Sequence, residues 1–512
     1  MAVEIKAKKG EYYFNEEDNF QKESKPKNKI VLMNKFSPVP YAQIILDKLI
    51  IKYDSNKTLW RYDYKEGVWK EKAEQYLRSL IRKQILGEEQ QIRNYVEEII
   101  SHIKDVCYDP TFEVNNNPYL IAFNNGVFDL RDEVFKDFSP EFHITNKIPR
   151  DILESQKECP KIDKFFEESL GKEYKDILYD LCSYCLFKRY PYPKLFFIYG
   201  PANTGKSKFL ELLERFLGEN NYCSVEPQDI QKDTHATAQM QYKMANIVSD
   251  INYDALDNIN QVKKIVGEDS VKIRNMYKEP YNARLYAKQI FSTNKLPVVK
   301  EKTRAWYRRV YTIEFSNIVE NSKVDRFIME KLTTEEELNG LAYKCLEHLK
   351  ELKKYNFTFS YDIDQNEMQK TYEKLSNPIL LFIDENCVEN KKDYLFQWEF
   401  KDRLKSWLKA NHFPPISTSE INEYMKENYT SSNRETFPEN KIYRVWVGLS
   451  WKKLSENSQN NEFNRFNQVG RKVYISRQDI NNPVKSVKFN KIDGKLSDFG
   501  YFFNQFNHFN QG

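Results

Sequence analysis

Residues 200–207 read Gly-Pro-Ala-Asn-Thr-Gly-Lys-Ser, the G-x-x-x-x-G-K-[ST] pattern, and the flanking segments restrict the chain to one kind of core. Before the loop, Lys194-Leu195-Phe196-Phe197-Ile198-Tyr199 is a short apolar run of the kind that forms a buried parallel strand. After it, Leu210, Leu213, Phe216 and Leu217 recur at helical spacing until Gly218 can end the helix. Strand, loop and helix in that order predict an α/β core whose backbone N–H groups turn inward around a polyanion at a helix N-terminus. Gly200, Pro201, Ala202, Asn203, Thr204, Gly205, Lys206, Ser207 and Lys208 are therefore the expected cradle for a nucleoside triphosphate. Lys206 is expected at the β/γ-phosphates, and the Ser207 hydroxyl at Mg2+. The chain has 15 glycines in 512 residues, so a chance match to this loop is uncommon, roughly one in a few hundred.

A chain of this length holds several domains, and its 34 Tyr and 34 Phe give ample material for cores and base-stacking surfaces. The net charge of +4 hides local contrasts. Residues 261–310 carry 13 Lys/Arg against 4 Asp/Glu, residues 361–440 carry 10 against 15, and residues 441–512 carry 12 against 5. Basic stretches interleaved with aromatics suit a nucleic-acid partner. The N-terminus mixes acids with lysines and has no apolar signal segment, and no run is apolar enough to span a bilayer, so a soluble intracellular protein with no membrane partner is expected. The seven cysteines are scattered. Cys182 and Cys185 have C-x-x-C spacing, but they fall in what reads as an amphipathic helix from Tyr174 to Phe187, with no second pair and no nearby histidine. Packing, not metal binding, is expected of them.

Residues 1–35 read as a flexible leader. A helix is expected near Ala42 to Leu49, then strands at Leu59–Tyr62 and Gly67–Lys70. Helices follow at Ala73 to Leu86, closed by Gly87, and at Gln91 to Val106. Asn125-Gly126 turns the chain into a strand at Val127–Leu130, giving an α+β domain over 36–150. Pro160 opens a helical segment within 151–193, and a helix from Glu335 to Lys353 closes the core that begins at 194. No internal repeat is evident.

Beyond the loop, Ala245-Asn246-Ile247-Val248-Ser249-Asp250 is an apolar strand ending in a carboxylate, where Asp250 can hold Mg2+ and orient a water. Val271–Arg274 and Ala283–Tyr286 read as arms of a hairpin with its tip near Tyr277–Pro280. Gln289–Thr293 is a third core strand delivering Asn294 to its end. Arg308 and Arg309 stand just before the next apolar strand.

This ordered set resembles the superfamily 3 helicases of the phage, plasmid and poxvirus replicative, primase-associated type. The resemblance rests on the 200–207 loop, the Ala-Asn-Ile-Val-Ser-Asp strand, Lys263-x-Ile265-Val266-Gly267-Glu268-Asp269 followed by Ile273-Arg274, Ser292-Thr293-Asn294 with Pro297, and Arg308-Arg309-Val310 with Ile313 and Phe315. It covers about 194–350, with similarity upstream at Trp60-Arg61-Tyr62-Asp63 and Phe123–Leu130. It implies a multidomain protein: an α+β N-terminal domain, a helical oligomerisation segment over 151–193, an α/β, AAA+-like P-loop core over 194–360, and a winged-helix-like DNA-binding domain over 361–512. It implies ATP and Mg2+ as cofactors and Asn294 as a γ-phosphate sensor. Arg308 or Arg309 would be an arginine finger offered to a neighbour in a ring, a hexamer in this family. The hairpin would carry Arg274 and Lys278 onto single-stranded DNA. Other replication proteins are implied partners, and the cytoplasm of a bacterial host the location. The family often has two acids after the second strand. Here Ile251 and Asn252 follow Asp250, so either Asp250 suffices with an acid from elsewhere, such as Asp254, or hydrolysis is modest. No metal-binding carboxylate pair or zinc cluster stands upstream, and primase chemistry is not expected.

In the C-terminal region, Phe400–Leu408 and Thr418–Asn428 read as helices, the second capped by Thr418 or Ser419, and Lys441–Leu449 as a strand. Thr430–Arg434 falls near a wing or turn that could meet duplex DNA. Beyond Asn460 no element is assigned. The leading expectation is an ATP-driven replicative helicase. Its rival is an ATP-switched origin-binding initiator that recruits another helicase. A small-molecule kinase fits poorly, since nothing after the loop resembles an acceptor lid.

Overall fold

A computed structural model describes residues 36–452 apart from 87–92, 252–259, 277, 298–302, 321, 323, 363, 412, 414 and 437–440, together with the strand Ile475–Ser476. The leader, Gly87, Asp254, Tyr277 and the rest of the tail lie outside the described residues.

The N-terminal part begins with helix α1 (Val39–Leu46) and an antiparallel sheet of β1 (Ile51–Tyr53), β2 (Leu59–Asp63) and β3 (Val68–Lys70). Helix α2 (Ala73–Leu80) runs into a π-helical turn, Ile81–Ile85, and α3 (Arg93–Val106) follows. Ile45, Leu77, Ile81, Val96, Ile99 and Ile103 form a cluster between these helices and the sheet, so the 3.6-residue apolar period reports a real buried face. A second antiparallel sheet, β4 (Leu120–Phe123), β5 (Gly126–Asp129) and β6 (Val134–Lys136), turns at Asn125-Gly126.

Helices α4 (Pro160–Leu170) and α5 (Asp176–Leu186) lead into β7 (Leu195–Tyr199) and α6 (Lys206–Leu217). The chain continues through β8 (Tyr222–Cys223), α7 (Pro227–Lys232), α8 (Thr234–Ala238), β9 (Ala245–Val248) and α9 (Asn260–Val266). Then come the hairpin β10 (Val271–Ile273) with β11 (Tyr281–Ala283), and β12 (Lys288–Thr293), α10 (Arg304–Tyr307) and β13 (Val310–Glu314). Strands β13, β7, β12, β9 and β8 form one parallel sheet in that order. Every residue of β7, β9 and β12 is buried, as a parallel sheet covered on both faces requires. Helix α5 is not amphipathic: every residue from Ile177 to Leu186 is buried, because α12 covers the side expected to face water. Cys182 and Cys185 pack there as free thiols. Helices α11 (Ile328–Leu332) and α12 (Glu335–Lys354), strand β14 (Tyr361–Asp362) and helix α13 (Gln365–Ser376) complete this body, and one apolar cluster runs through it from Ile121 to Tyr372.

The last body runs α14 (Pro378–Asn386), β15 (Cys387–Phe396), α15 (Gln397–Ala410), α16 (Thr418–Asn428), β16 (Thr430–Thr436) and β17 (Lys441–Trp451). Its antiparallel sheet has the order β15, β17, β16. Residues 430–434, expected near a wing or turn, form a strand that pairs along β17. Strands β15 and β17 have 10 and 11 residues. One expectation is corrected here. The cap of α16 is Ser417, whose hydroxyl accepts from the Glu420 N–H, and not Thr418 or Ser419. Among the described residues no helix is long and apolar enough to cross a membrane.

Candidate functional site

The loop after β7 is held in a shape that only its glycines permit. A Cβ on Gly200 would lie 2.1 Å from the carbonyl oxygen of Phe315, with φ at +146°. Gly205, at φ +91°, precedes the first turn of α6. Asn203 also takes a left-handed conformation, φ 61°, and its carbonyl accepts from the Val319 N–H at 2.9 Å. Thr204 Oγ1 donates back to Pro201 O. The segment after β13 therefore braces the loop from one side, and α4 meets it from the other, where Phe165 and Ser169 approach Gly205.

Three strands deliver their carboxyl ends to one place. Lys206, 7% exposed, donates from Nζ to Gly200 O at 2.7 Å, Pro201 O at 2.6 Å and Asn294 Oδ1 at 3.1 Å. Asn294 follows the last residue of β12, which lies between β7 and β9, so a side chain 88 positions away reaches the lysine. Asp250 stands just past β9, exposed and with φ 62°. Burial pulls the Lys206 ammonium down to about 8, and the nearby Asp250 carboxylate partly opposes that fall. Ser207 and Lys208 are exposed on the first turn of α6, and Lys208 pairs with Glu211 at 2.9 Å. Among the described residues no group of three or more His, Cys, Asp or Glu side chains could hold a metal ion.

Arg308 and Arg309 lie at the other end of the sheet. Val310 pairs with Leu195 and Glu314 with Tyr199, so the arginines sit before the amino end of β13, one strand length, about 13 Å, below the loop. Arg308 is exposed, and Arg309 Nη1 donates to Ala305 O.

The hairpin forms with its first arm where expected, but its second arm is Tyr281–Ala283 and not Ala283–Tyr286, Val271 pairing with Ala283 and Ile273 with Tyr281. Its lysine does not stand clear. Lys278 Nζ donates to Thr58 Oγ1 of the N-terminal part at 2.8 Å, and exposed Arg274 donates to Lys278 O. The same face carries a polar network across the two parts. Asn146 Nδ2 donates to Asn221 Oδ1 and Tyr242 O, and Asn146 Oδ1 accepts from Tyr286 OH, which accepts from Asn115 Nδ2. Trp60 meets Tyr242 edge-on with ring centroids 5.5 Å apart.

Sequence reasoning missed these bracing contacts because a backbone carbonyl or N–H leaves no residue-type signal. It also gave no role to Glu268 or Lys288. Glu268 accepts from Arg189 Nε and the Tyr190 N–H, tying the end of α9 to the entry of the core. Lys288 is fully buried and donates to Phe187 O, Arg189 O and Tyr286 O beneath the rings of Tyr184 and Tyr190.

Comparison with known proteins adds two family matches. A family described as "D5 N terminal like" matches residues 42–171, and a family of unknown function, DUF5906, matches residues 198–309. A protein of Acanthamoeba polyphaga mimivirus named as a proposed helicase is 25% identical over 349 residues, 61% of this chain and 36% of the relative. Primase D5 of fowlpox virus (strain NVSL) is 26% identical over 247 residues, 44% of this chain and 31% of the relative. The chain spans about a third of the length of these curated relatives. The apo structure of the NrS-1 C-terminal region aligns at 11% identity with a TM-score of 0.42, over 81% of this chain and 100% of that one.

Proposed function

We propose, starting from the fit of these matches to the D5-type helicase family of phages and viruses, that the protein is an ATP-driven replicative DNA helicase that works as a ring. The observation that carries this reading is the convergence of Lys206, Asn294 and Asp250 on one end of the sheet while Arg308 and Arg309 stand at the other.

The residues present fit Mg2+-ATP. Gly200 and Gly205 leave room for a close backbone approach, and a cation that keeps most of its waters needs only one or two protein ligands, for which exposed Ser207 and Asp250 suffice. Bound there, the metal would neutralise charge on the β/γ-phosphates. The N–H groups of the loop and of the first turn of α6 orient the phosphates, and Lys206 lends them a positive charge. Asn294, already hydrogen-bonded to Lys206, is aligned to sense the terminal phosphate or hold the attacking water, which Asp250 helps to orient.

An arginine about a strand length below the loop cannot complete its own site, so Arg308 or Arg309 serves a neighbouring copy. That makes each ATP site an interface, hexameric by analogy with the family, and hydrolysis a signal the neighbour feels. The order α14, β15, α15, α16, β16, β17 is that of a winged helix, which would place α16 and the β16–β17 ribbon on duplex DNA.

A second reading has one observation in its favour. Lys278, the residue expected to grip DNA, is hydrogen-bonded to Thr58, as suits a switch-type initiator whose hairpin is held until the N-terminal part moves. Strand displacement on a tailed duplex, with anisotropy on single strands across a salt series, separates the two. The helicase reading expects unwinding by the wild type. In the Lys278→Ala, Arg274→Ala double variant it expects lost unwinding, intact basal ATP turnover and a salt slope smaller by roughly 0.7 per lost phosphate contact. ATP turnover without unwinding in the wild type under any salt and Mg2+ condition favours the initiator.

A further inference from the structure

The C-terminal sheet has two unlike faces. Leu395 of β15 and Trp446 of β17 pair with each other and turn inward, joining Phe382, Phe400, Leu404 and Met425 in the apolar core of this body. Alternation along the strands sends Tyr394 and Phe396 of β15, and Tyr443 of β17, to the opposite face. There they form a continuous aromatic surface. Tyr394 and Phe396 have ring centroids 5.7 Å apart, and Phe396 and Tyr443 lie 5.6 Å apart. Trp398, in the first turn of α15, is near-parallel to Phe396 at 24° and 6.4 Å. Two of these rings are open to solvent, Trp398 at 56% and Tyr394 at 39% exposure.

Charge favours a polyanionic occupant over an apolar one. Exposed Arg434, paired across the ribbon with Tyr443, holds its guanidinium 5.4 Å from the centre of the Tyr394 ring. An aromatic surface edged by a guanidinium suits a chain with flat apolar units on an anionic backbone. Unpaired nucleobases stack on such rings whatever their sequence, whereas in a duplex the base faces are already stacked on each other.

We propose that Tyr394, Phe396, Trp398 and Tyr443, with Arg434, form a stacking platform for single-stranded DNA on the face of the sheet opposite the apolar core, apart from any duplex contact made by α16. The choice of DNA as occupant rests on the helicase reading. On that reading the platform would hold the strand released by, or entering, the ring.

The test measures fluorescence anisotropy of the full-length protein with a labelled oligothymidylate, the same length of abasic backbone, and a blunt duplex, each across a salt series. Trp398→Ala with Tyr394→Ala should weaken oligothymidylate binding roughly tenfold or more. The salt slope, abasic binding and duplex binding should stay near wild type, and Trp398→Phe with Tyr394→Phe should restore most of the affinity. Arg434→Gln should lower the salt slope by roughly 0.7. Both exposed rings can be removed without opening the core, and unchanged melting of the double variant checks this. The proposal is overturned if the double variant, folded, binds oligothymidylate like wild type. It is equally overturned if duplex and single strand weaken together, or if the variant loses self-association in sedimentation instead of DNA binding. In all three cases the helicase reading stands as long as ATP-dependent unwinding persists. Strong oligothymidylate binding lost in the variants, with no unwinding by wild type, would instead retain the platform and remove the motor.

Discussion

At the carboxyl end of the five-stranded sheet Lys206 is buried among backbone carbonyls, and at the amino end Lys288 is buried among carbonyls as well. Burial pulls the first down to about 8 and the second to about 7. The difference lies in their neighbours. Lys206 stands beside exposed Ser207, on a loop of left-handed residues and near exposed Asp250, and donates to Asn294. Lys288 is closed over by the Tyr184 and Tyr190 rings and ties the chain at Phe187–Arg189 to the start of β12. A lowered lysine is thus no mark of chemistry by itself. What marks the site is a buried cation with polar groups still open to a ligand.

The comparison breaks first at Lys206. Lys206→Ala should abolish ATP turnover, a loss of at least about a thousandfold, with melting close to wild type. Asp250→Asn should follow it, and wild-type turnover in a folded Lys206→Ala protein would remove the ATPase assignment. The next largest effect concerns the arginines. A variant with both Arg308 and Arg309 changed to Ala should be inactive alone, yet regain about a quarter of normal turnover when mixed one to one with Lys206→Ala, since one interface type then holds both intact parts. If subunits exchange and nothing returns, the trans assignment fails. At the amino end the readout reverses. Lys288→Ala leaves a void and three carbonyls without their donor, so urea unfolding should show a loss of about 3 kcal/mol while the folded fraction turns over ATP normally. The smallest effect is a pH slope. Lys188, 3% exposed, donates to Leu120 O, and burial draws it down to about 7. Above that pH the folded state has released a proton that the unfolded chain still binds up to about 10.4, so this lysine makes stability rise with pH across the interval. Lys188→Met should flatten the rise between pH 7 and 9. An unchanged slope would mean that the buried amine stays charged.

What the sequence made legible, and what it hid, divides along physical lines. The 200–207 loop was readable because its backbone demands glycine at Gly200 and Gly205 and its chemistry demands Lys206. The strands on either side were readable as apolar runs. Asn294 and Asp250 could be placed because each ends such a run. Helix α5 was misjudged, since a buried helix and an amphipathic one can carry similar residues and only the packing of α12 decides. Strand β15 was missed because Glu389, Asn390, Lys391, Lys392 and Asp393 run on as polar residues of which none is buried, leaving no alternation to see. The α16 cap slipped by one residue because Ser417, Thr418 and Ser419 all bear a capping hydroxyl. The Lys278 contact with Thr58 joins positions 220 apart and could not be inferred locally.

The network around Asn146 also dictates an order of events in time. Asn146, 3% exposed in the finished protein, finds its partners in Asn221, Tyr242 and Tyr286, the last 140 positions later in the chain. During synthesis at ordinary rates the N-terminal part therefore waits roughly ten seconds before the surface it docks on exists. A dry apolar interface would be a sticky patch throughout that wait. The asparagine amides and tyrosine hydroxyl around Asn146 stay hydrated until the core arrives, and only then trade water for protein. Replacing Asn146 with leucine should therefore reveal itself in aggregation of nascent or truncated chains before it does in the stability of the folded one.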